Sequence, residues 1–129
     1  KKGIIMSENK TYRLYCEALK SSSVNTDAVL RNIPCDRNAI LSSVIICSRA
    51  GITADNTNFS KFQVKNGSDV LFERSFQTDS LAATTNEVLA PLKDSAVDST
   101  TELVINYDAT GNGLAIDLDC VLVFEYDRG

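Results

Sequence analysis

The clearest pattern lies at the far end of the chain, where Leu114, Ile116, Leu118, Cys120, Leu122, Phe124 and Tyr126 occupy alternate positions of one continuous run. A period of two is that of a β-strand, whose successive side chains point to opposite faces. The other face reads Ala115, Asp117, Asp119, Val121, Val123, Glu125 and Asp127, acidic at both ends and apolar in the middle. This predicts a long strand, buried on one side and covered in its middle on the other. Residues 101–107 alternate likewise, with Leu103, Ile105 and Tyr107 against Val104 and Asn106. Between the two strands lies Asp108-Ala109-Thr110-Gly111-Asn112-Gly113. Its Gly and Asn residues supply the positive φ angles of a reversal, so an antiparallel hairpin is predicted. A second hairpin is predicted from 59–65 and 70–76 through Asn66-Gly67-Ser68-Asp69, where the Asn-Gly pair is the signal.

Toward the front, Tyr12, Leu14, Cys16 and Ala18 form the apolar side of a strand whose other side is Arg13, Tyr15 and Glu17. A short strand over 28–33 follows the Ser-rich link at 21–23. Residues 38–48 carry the unbroken apolar run Val44-Ile45-Ile46-Cys47, which predicts a central strand buried on both faces. Residues 87–92 read as a strand at a sheet edge, because Pro91 lacks a backbone donor. Val, Ile, Thr and aromatic residues crowd these segments, while Gly, Asn, Asp and Ser crowd the joints. About eight short strands with frequent turns predict an all-β chain, a two-sheet antiparallel β-sandwich of jelly-roll-like type. At 129 residues and 43% hydrophobic, the chain is expected to form one core. It divides into an N-terminal arm over 1–10 and a single sandwich domain over 11–129.

Charge and residue usage then narrow the chemistry. The formal charge of -4 offers little to phosphate backbones or anionic membranes, so neither nucleic acid nor membrane is an expected partner. No apolar run reaches the roughly 20 residues needed to cross a bilayer, and the start lacks the apolar stretch of a secretory signal. The opening Lys1-Lys2-Gly3-Ile4-Ile5 precedes the only methionine, Met6, and back-translates to a purine-rich stretch like a bacterial ribosome-binding site. Met6 is therefore the expected start, with proteolytic trimming of a longer precursor as the alternative.

There is no histidine, which removes the commonest general base, the commonest metal ligand and every Ser/His or Cys/His nucleophile pair. Asp117 and Asp119 share a strand face about 7 Å apart by strand rise, a crude match to a glycosidase pair, but two acids on a solvated strand face is the preferred reading. Asp108, Asn112, Asp117 and Asp119 could supply oxygen ligands to Ca²⁺, yet their spacing is not that of an EF-hand loop and an ordinary turn accounts for them. No catalytic residue, cofactor or metal site is expected, and the chain is not read as an enzyme. Cys16, Cys35, Cys47 and Cys120 are spaced too widely for a zinc or redox motif. They read as free core thiols, with Cys16 and Cys120 the pair to test for a bridge, since both project from the apolar side of their strands. Asn9-Lys10-Thr11, Asn58-Phe59-Ser60 and Asn66-Gly67-Ser68 match the glycosylation acceptor pattern, which arises by chance in so Asn-, Ser- and Thr-rich a chain. Phe59, Phe62, Phe72, Phe76 and Tyr107 alternate within strands and read as core before they read as a sugar platform.

From Val29 onward, the apolar strand over 38–48, the Phe62-Gln63-Val64 strand, Leu89-Ala90-Pro91-Leu92 and the closing strands over 103–107 and 114–126 have a familiar cadence. It resembles the small β-sandwich proteins that decorate tailed-phage capsids or build phage fibres. The resemblance implies a virion structural protein of decoration or cement type on the outer capsid surface. It also implies a homo-oligomer, commonly a trimer, bound to the major capsid protein, with no catalytic residues. In such families the shell contact often lies in a terminal arm. Here the basic, polar segment with Lys1, Lys2, Ile4, Ile5 and Lys10 is the matching partner-binding region, on an acidic body whose charge suits docking. Two other readings stay open. A fibre or receptor-binding module would grip a host glycan or protein with the loops over 49–58 and 77–86, and a non-viral adhesion or carbohydrate-binding domain would share the fold.

Overall fold

A computed structural model describes residues 9–127 of the chain. Nine strands follow one another: β1 (Asn9–Ser21), β2 (Ala28–Pro34), β3 (Ala39–Cys47), β4 (Phe59–Asn66), β5 (Asp69–Ser75), β6 (Glu87–Leu89), β7 (Ala96–Val97), β8 (Glu102–Thr110) and β9 (Ile116–Asp127). No helix occurs among the described residues. The first sheet has the order β1-β9-β3-β6, with β7 also pairing with β3, and the second has the order β2-β8-β4-β5. Every pairing is antiparallel. The chain steps from sheet to sheet at nearly every connection, the wrapping of a jelly roll, and the two-sheet antiparallel sandwich is as the periodicity predicts.

The core lies where the inner faces meet. Phe62, Phe72, Phe76, Tyr107 and Phe124 are its largest buried side chains, joined by Leu41, Ile46, Leu103, Ile105 and Leu118. Burying a side chain of this size contributes roughly 2–3 kcal/mol, which is why the alternating positions settle inward. The aromatics at 59, 62, 72, 76 and 107 are thus core residues, as their placement in strands suggests.

The hairpin through Asn66 and Asp69 forms: those two residues pair, and Gly67 takes φ +60° in the two-residue loop between β4 and β5. The other expected hairpin does not. β8 has β2 on one side and β4 on the other, so neither edge is open to a following strand. β9 crosses instead into the first sheet, between β1 and β3. The crossing peptide, Leu114, loses ladder partners and is held by side chains. Its N–H donates to the Ser60 hydroxyl (2.7 Å), and its carbonyl accepts from Ser60 (2.8 Å) and from the Tyr107 hydroxyl (2.9 Å). Gly113, at φ +70°, lets the Val24 carbonyl and the Tyr107 hydroxyl approach where a Cβ would otherwise sit.

In the first sheet two bulges reset the periodicity. Between Cys16 and Leu19 the pairing of β1 with β9 slips, and Ala18 adopts φ 56°. Ala18, expected on the apolar side, is exposed, and Leu19 takes the inward place. The bulge is fixed by the Ala18 N–H donating to Asp119 Oδ1 (3.0 Å). A second slip between Leu41 and Ser43 puts Ser42 against the Val123 carbonyl (3.1 Å) and aligns Ala39, Leu41, Val44 and Ile46 on the inner face. β3 is therefore central in its sheet but buried on one face only; Ile45 and Cys47 are half-buried on the other. β6 stops at Leu89, before Pro91, at the sheet edge.

Both open flanks of the sandwich are tied by arginines. On one side Arg31 of β2 donates to the Glu17 carbonyl of β1 (3.0 Å). On the other, Arg74 of β5 pairs with Glu87 of β6 at 2.7 Å, donates to the Asp79 and Ser80 carbonyls and lies over the Phe76 ring. Gly113→Ala is expected to cost about 3 kcal/mol, combining a left-handed backbone with a blocked contact. Gly67→Ala, with open space around it, is expected to cost only about 1 kcal/mol. Urea denaturation of the two variants checks the ranking.

Candidate interaction surface

A strand that buries one face presents the other to its surroundings, and in the first sheet that outer face is not uniformly polar. The register places Tyr15 of β1 opposite Val121 of β9, Val121 opposite Ile45 of β3, and Ile45 opposite Val88 of β6. One apolar row thus crosses β1, β9, β3 and β6. Tyr15 is 69% exposed and Val88 65%, while Val121 and Ile45 are half-buried between them. In the adjoining row Arg13 stands opposite Val123, which is buried although it lies on the outer face. On the other side Asp119 stands opposite Cys47. A shallow concavity of about 360 Å³ follows the row, lined by Arg13, Tyr15, Ile45, Asn86, Asp119 and Val121.

Lys1, Lys2, Ile4 and Ile5 lie outside the described residues. Lys10 lies within β1, paired with Tyr126, so the sandwich begins at Asn9 rather than at residue 11. Asp117 and Asp119 do share a strand face, but each has a local partner. Asp117 meets Lys20 at 4.0 Å, and Asp119 accepts from the Ala18 N–H. Asp108 lies in β8 of the second sheet, Asn112 in the following loop, and Asp117 and Asp119 in β9 of the first sheet, so the candidate Ca²⁺ donors are divided among two sheets and a loop. Among the described residues, no three acidic or cysteine side chains are placed to hold a metal ion.

The loops over 49–58 and 77–86 are brought together. Ile52 and Leu81 exchange backbone hydrogen bonds of 2.9 Å each, and the Ala54 N–H donates to the Ser80 hydroxyl (2.8 Å). Asp55 turns the first loop by accepting the N–H groups of Thr57 and Asn58, which holds its carboxyl below the usual range. All four cysteines are free; Cys16, Cys35 and Cys120 are buried and Cys47 is half-buried.

One carboxyl pair has an unusual environment. Asp27 accepts from the Ala109 N–H (2.8 Å) and lies close to Asp108. Burial first, then the charge of Asp27, push the Asp108 carboxyl above its ordinary range, with Lys61 opposing. The apolar row escapes a reading based on motifs because Tyr15 looks like part of a polar face and Ile45 is hidden inside an unbroken apolar run. The usable signal is that run itself: in a two-sheet fold, four consecutive apolar residues must place two on the outside.

No protein-family model matches the chain, and no curated protein matches it. Solved structures do. The infectious bursal disease virus Gx strain structure matches with a TM-score of 0.51 and 11% identity over 95% of this chain and 33% of that one. The VP2 subviral particle of the same virus gives 0.51 and 11%, over 95% and 34%. The crystal structure of FLHE gives 0.54 and 9%, over 92% of this chain and 96% of that one. The chain spans about a third of the length of the viral chains and nearly all of FLHE. At these identities the likeness is one of fold.

The raised Asp108 value has a defined sign. The folded chain keeps this proton to higher pH than the unfolded chain does, so stability falls as pH rises from the ordinary carboxylate value, about 4, through the raised one. Asp108→Asn is expected to be more stable than the parent at neutral pH and to lack this part of the slope. Urea midpoints of both proteins from pH 4 to pH 7 check it; parallel curves would contradict it.

Proposed function

We propose that the chain is a non-enzymatic structural protein of a virus particle, of the capsid decoration or cement type, seated on the outer surface of a shell built by a major capsid protein. The observation that carries this reading is the apolar row of Tyr15, Val121, Ile45 and Val88 across the first sheet. An apolar centre flanked by Arg13 on one side and Asp119 on the other is the core-and-rim arrangement of a protein–protein contact. The shared fold with virus-particle sandwiches supports the setting. A single row is small for a stable interface, and a trimer would multiply it by presenting three copies at once. The arm bearing Lys1, Lys2, Ile4 and Ile5, with Lys10 where it meets β1, supplies a second contact with a charge opposite to that of the body.

A second reading, a fibre or receptor-binding module, is favoured by the Ile52–Leu81 bridge, which makes one surface of two loops. The two differ in copy number. Quantitative mass spectrometry of purified particles is expected to find this chain in simple ratio to the major capsid protein. A handful of copies would favour the fibre module. None would remove the virion reading and favour a non-viral sandwich of FLHE-like length.

Within the decoration reading, Tyr15→Glu combined with Val88→Glu is expected to lower particle occupancy at least tenfold, a loss of about 1.4 kcal/mol per site. Both side chains are exposed, so the thermal midpoint should hold. Deleting residues 1–8, which leaves β1 whole, is expected to weaken attachment with the sandwich still folded. Unchanged occupancy in both variants would reject these surfaces as the contact.

A further inference from the structure

The first sheet holds a pair of thiols that the docking role does not use. Cys16 of β1 and Cys120 of β9 are direct cross-strand partners, the last pair in register before the bulge. Both side chains project into the core, 3% and 2% exposed, from directly opposed positions of the two strands. Directly opposed residues of antiparallel strands have Cα atoms about 4.5–5.5 Å apart, inside the range a disulfide spans without moving the backbone. The other thiols have no such partner. Cys47 faces outward opposite Asp119, and Cys35 lies beyond β2, with its N–H on the Thr101 carbonyl.

We infer that Cys16 and Cys120 form a redox site, a dithiol that a small peroxide closes to a disulfide stapling the edge strand β1 to β9. The two sulfurs have different roles. The neighbouring Cys120 thiol and the charge of Arg31 bring the Cys16 thiol down to about 7 against the opposing effect of burial, while Cys120 is pushed up and keeps its proton. Cys16 is thus the nucleophile and Cys120 the resolving thiol. The Cys16 thiolate attacks one peroxide oxygen; the S–O bond forms as the O–O bond breaks, and the departing hydroxide takes up a proton to leave as water. The Cys120 sulfur then attacks the resulting sulfenic acid, forming the S–S bond, and its proton leaves with the displaced hydroxide as a second water. Two thiols are oxidised and one peroxide is reduced to two waters. Near-burial favours an oxidant as small as hydrogen peroxide over a bulky disulfide reagent.

The bridge would close most of the chain into one loop, and a long loop gives a disulfide its largest effect on the unfolded state. The inference is independent of what the chain docks on. Its test is treatment of the folded, full-length chain with hydrogen peroxide, followed by intact mass, peptide mapping and thermal denaturation. The expected result is a mass lower by about 2 Da, a peptide linking Cys16 to Cys120, and a midpoint raised by roughly 5–10 °C and restored by dithiothreitol. Cys16→Ala should lose the link and the rise, whereas Cys47→Ala should keep both. Should Cys16→Ala fail to fold, the peptide map of the parent still decides. The inference is overturned if Cys16 and Cys120 stay unlinked while Cys47 is oxidised, or if the linked chain melts below the reduced one.

Discussion

Between β8 and β9 the chain has to leave one sheet and enter the other, and the Leu114 peptide at that crossing cannot use either ladder. Buried peptide groups without partners cost about 1–3 kcal/mol each, so the crossing stands only if something replaces the lost bonds. Ser60 and Tyr107, both fully buried, provide the replacement from the second sheet. Ser60 accepts from the Leu114 N–H and donates to its carbonyl, doing for one residue what a neighbouring strand does for many. Everything in the first sheet follows from this clasp, because β9 is the strand on which both β1 and β3 are built.

The same economy governs the flanks and the outer face. A sandwich of two open sheets has four exposed edges, each a template for unwanted pairing. Here Arg31 and Arg74 draw edge strands of opposite sheets together in pairs, and β6 is cut to three residues before Pro91. The edges are thereby closed or short, while exposed large apolar side chains stand both in the row, at Tyr15 and Val88, and outside it, at Leu14, Val29, Ile40 and Leu92.

Much of this was legible in the sequence because strand position is a local property. The alternation at Leu103, Ile105 and Tyr107 and along 116–126 locates β8 and β9, and Asn66-Gly67 locates the tight turn between β4 and β5. Which strand pairs with which is not local. Gly111 and Gly113 serve a sheet crossing as readily as a hairpin, and only the occupancy of both edges of β8 decides between them. Bulges are equally silent: Ala18 and Ser42 each shift the inward phase, and nothing in their side chains announces it. The apolar row was the least legible part. Val121 stood out, but Tyr15, Ile45 and Val88 become one row only through register, a product of three separate pairings.

Several acidic side chains have local structural partners. Asp119 fixes the β1 bulge, Asp117 meets Lys20, and Asp55 and Asp98 turn their loops by accepting nearby N–H and hydroxyl groups. These carboxylates are engaged locally, three by accepting hydrogen bonds that fix a bulge or a turn and Asp117 by pairing with a lysine. Tyr15 and Val88 have no comparable commitment. Exposed strand positions tolerate Thr, Lys or Glu at little cost to folding, so two large apolar side chains at the ends of one row are not required by the sandwich. The bulge next to them keeps β1 in register only as far as Cys16, which places Tyr15 on its last regular stretch, backed by the Cys16–Cys120 contact beneath. A surface meant to meet another protein gains from such backing, because a side chain held on a rigid strand loses less freedom on binding than one on a loop.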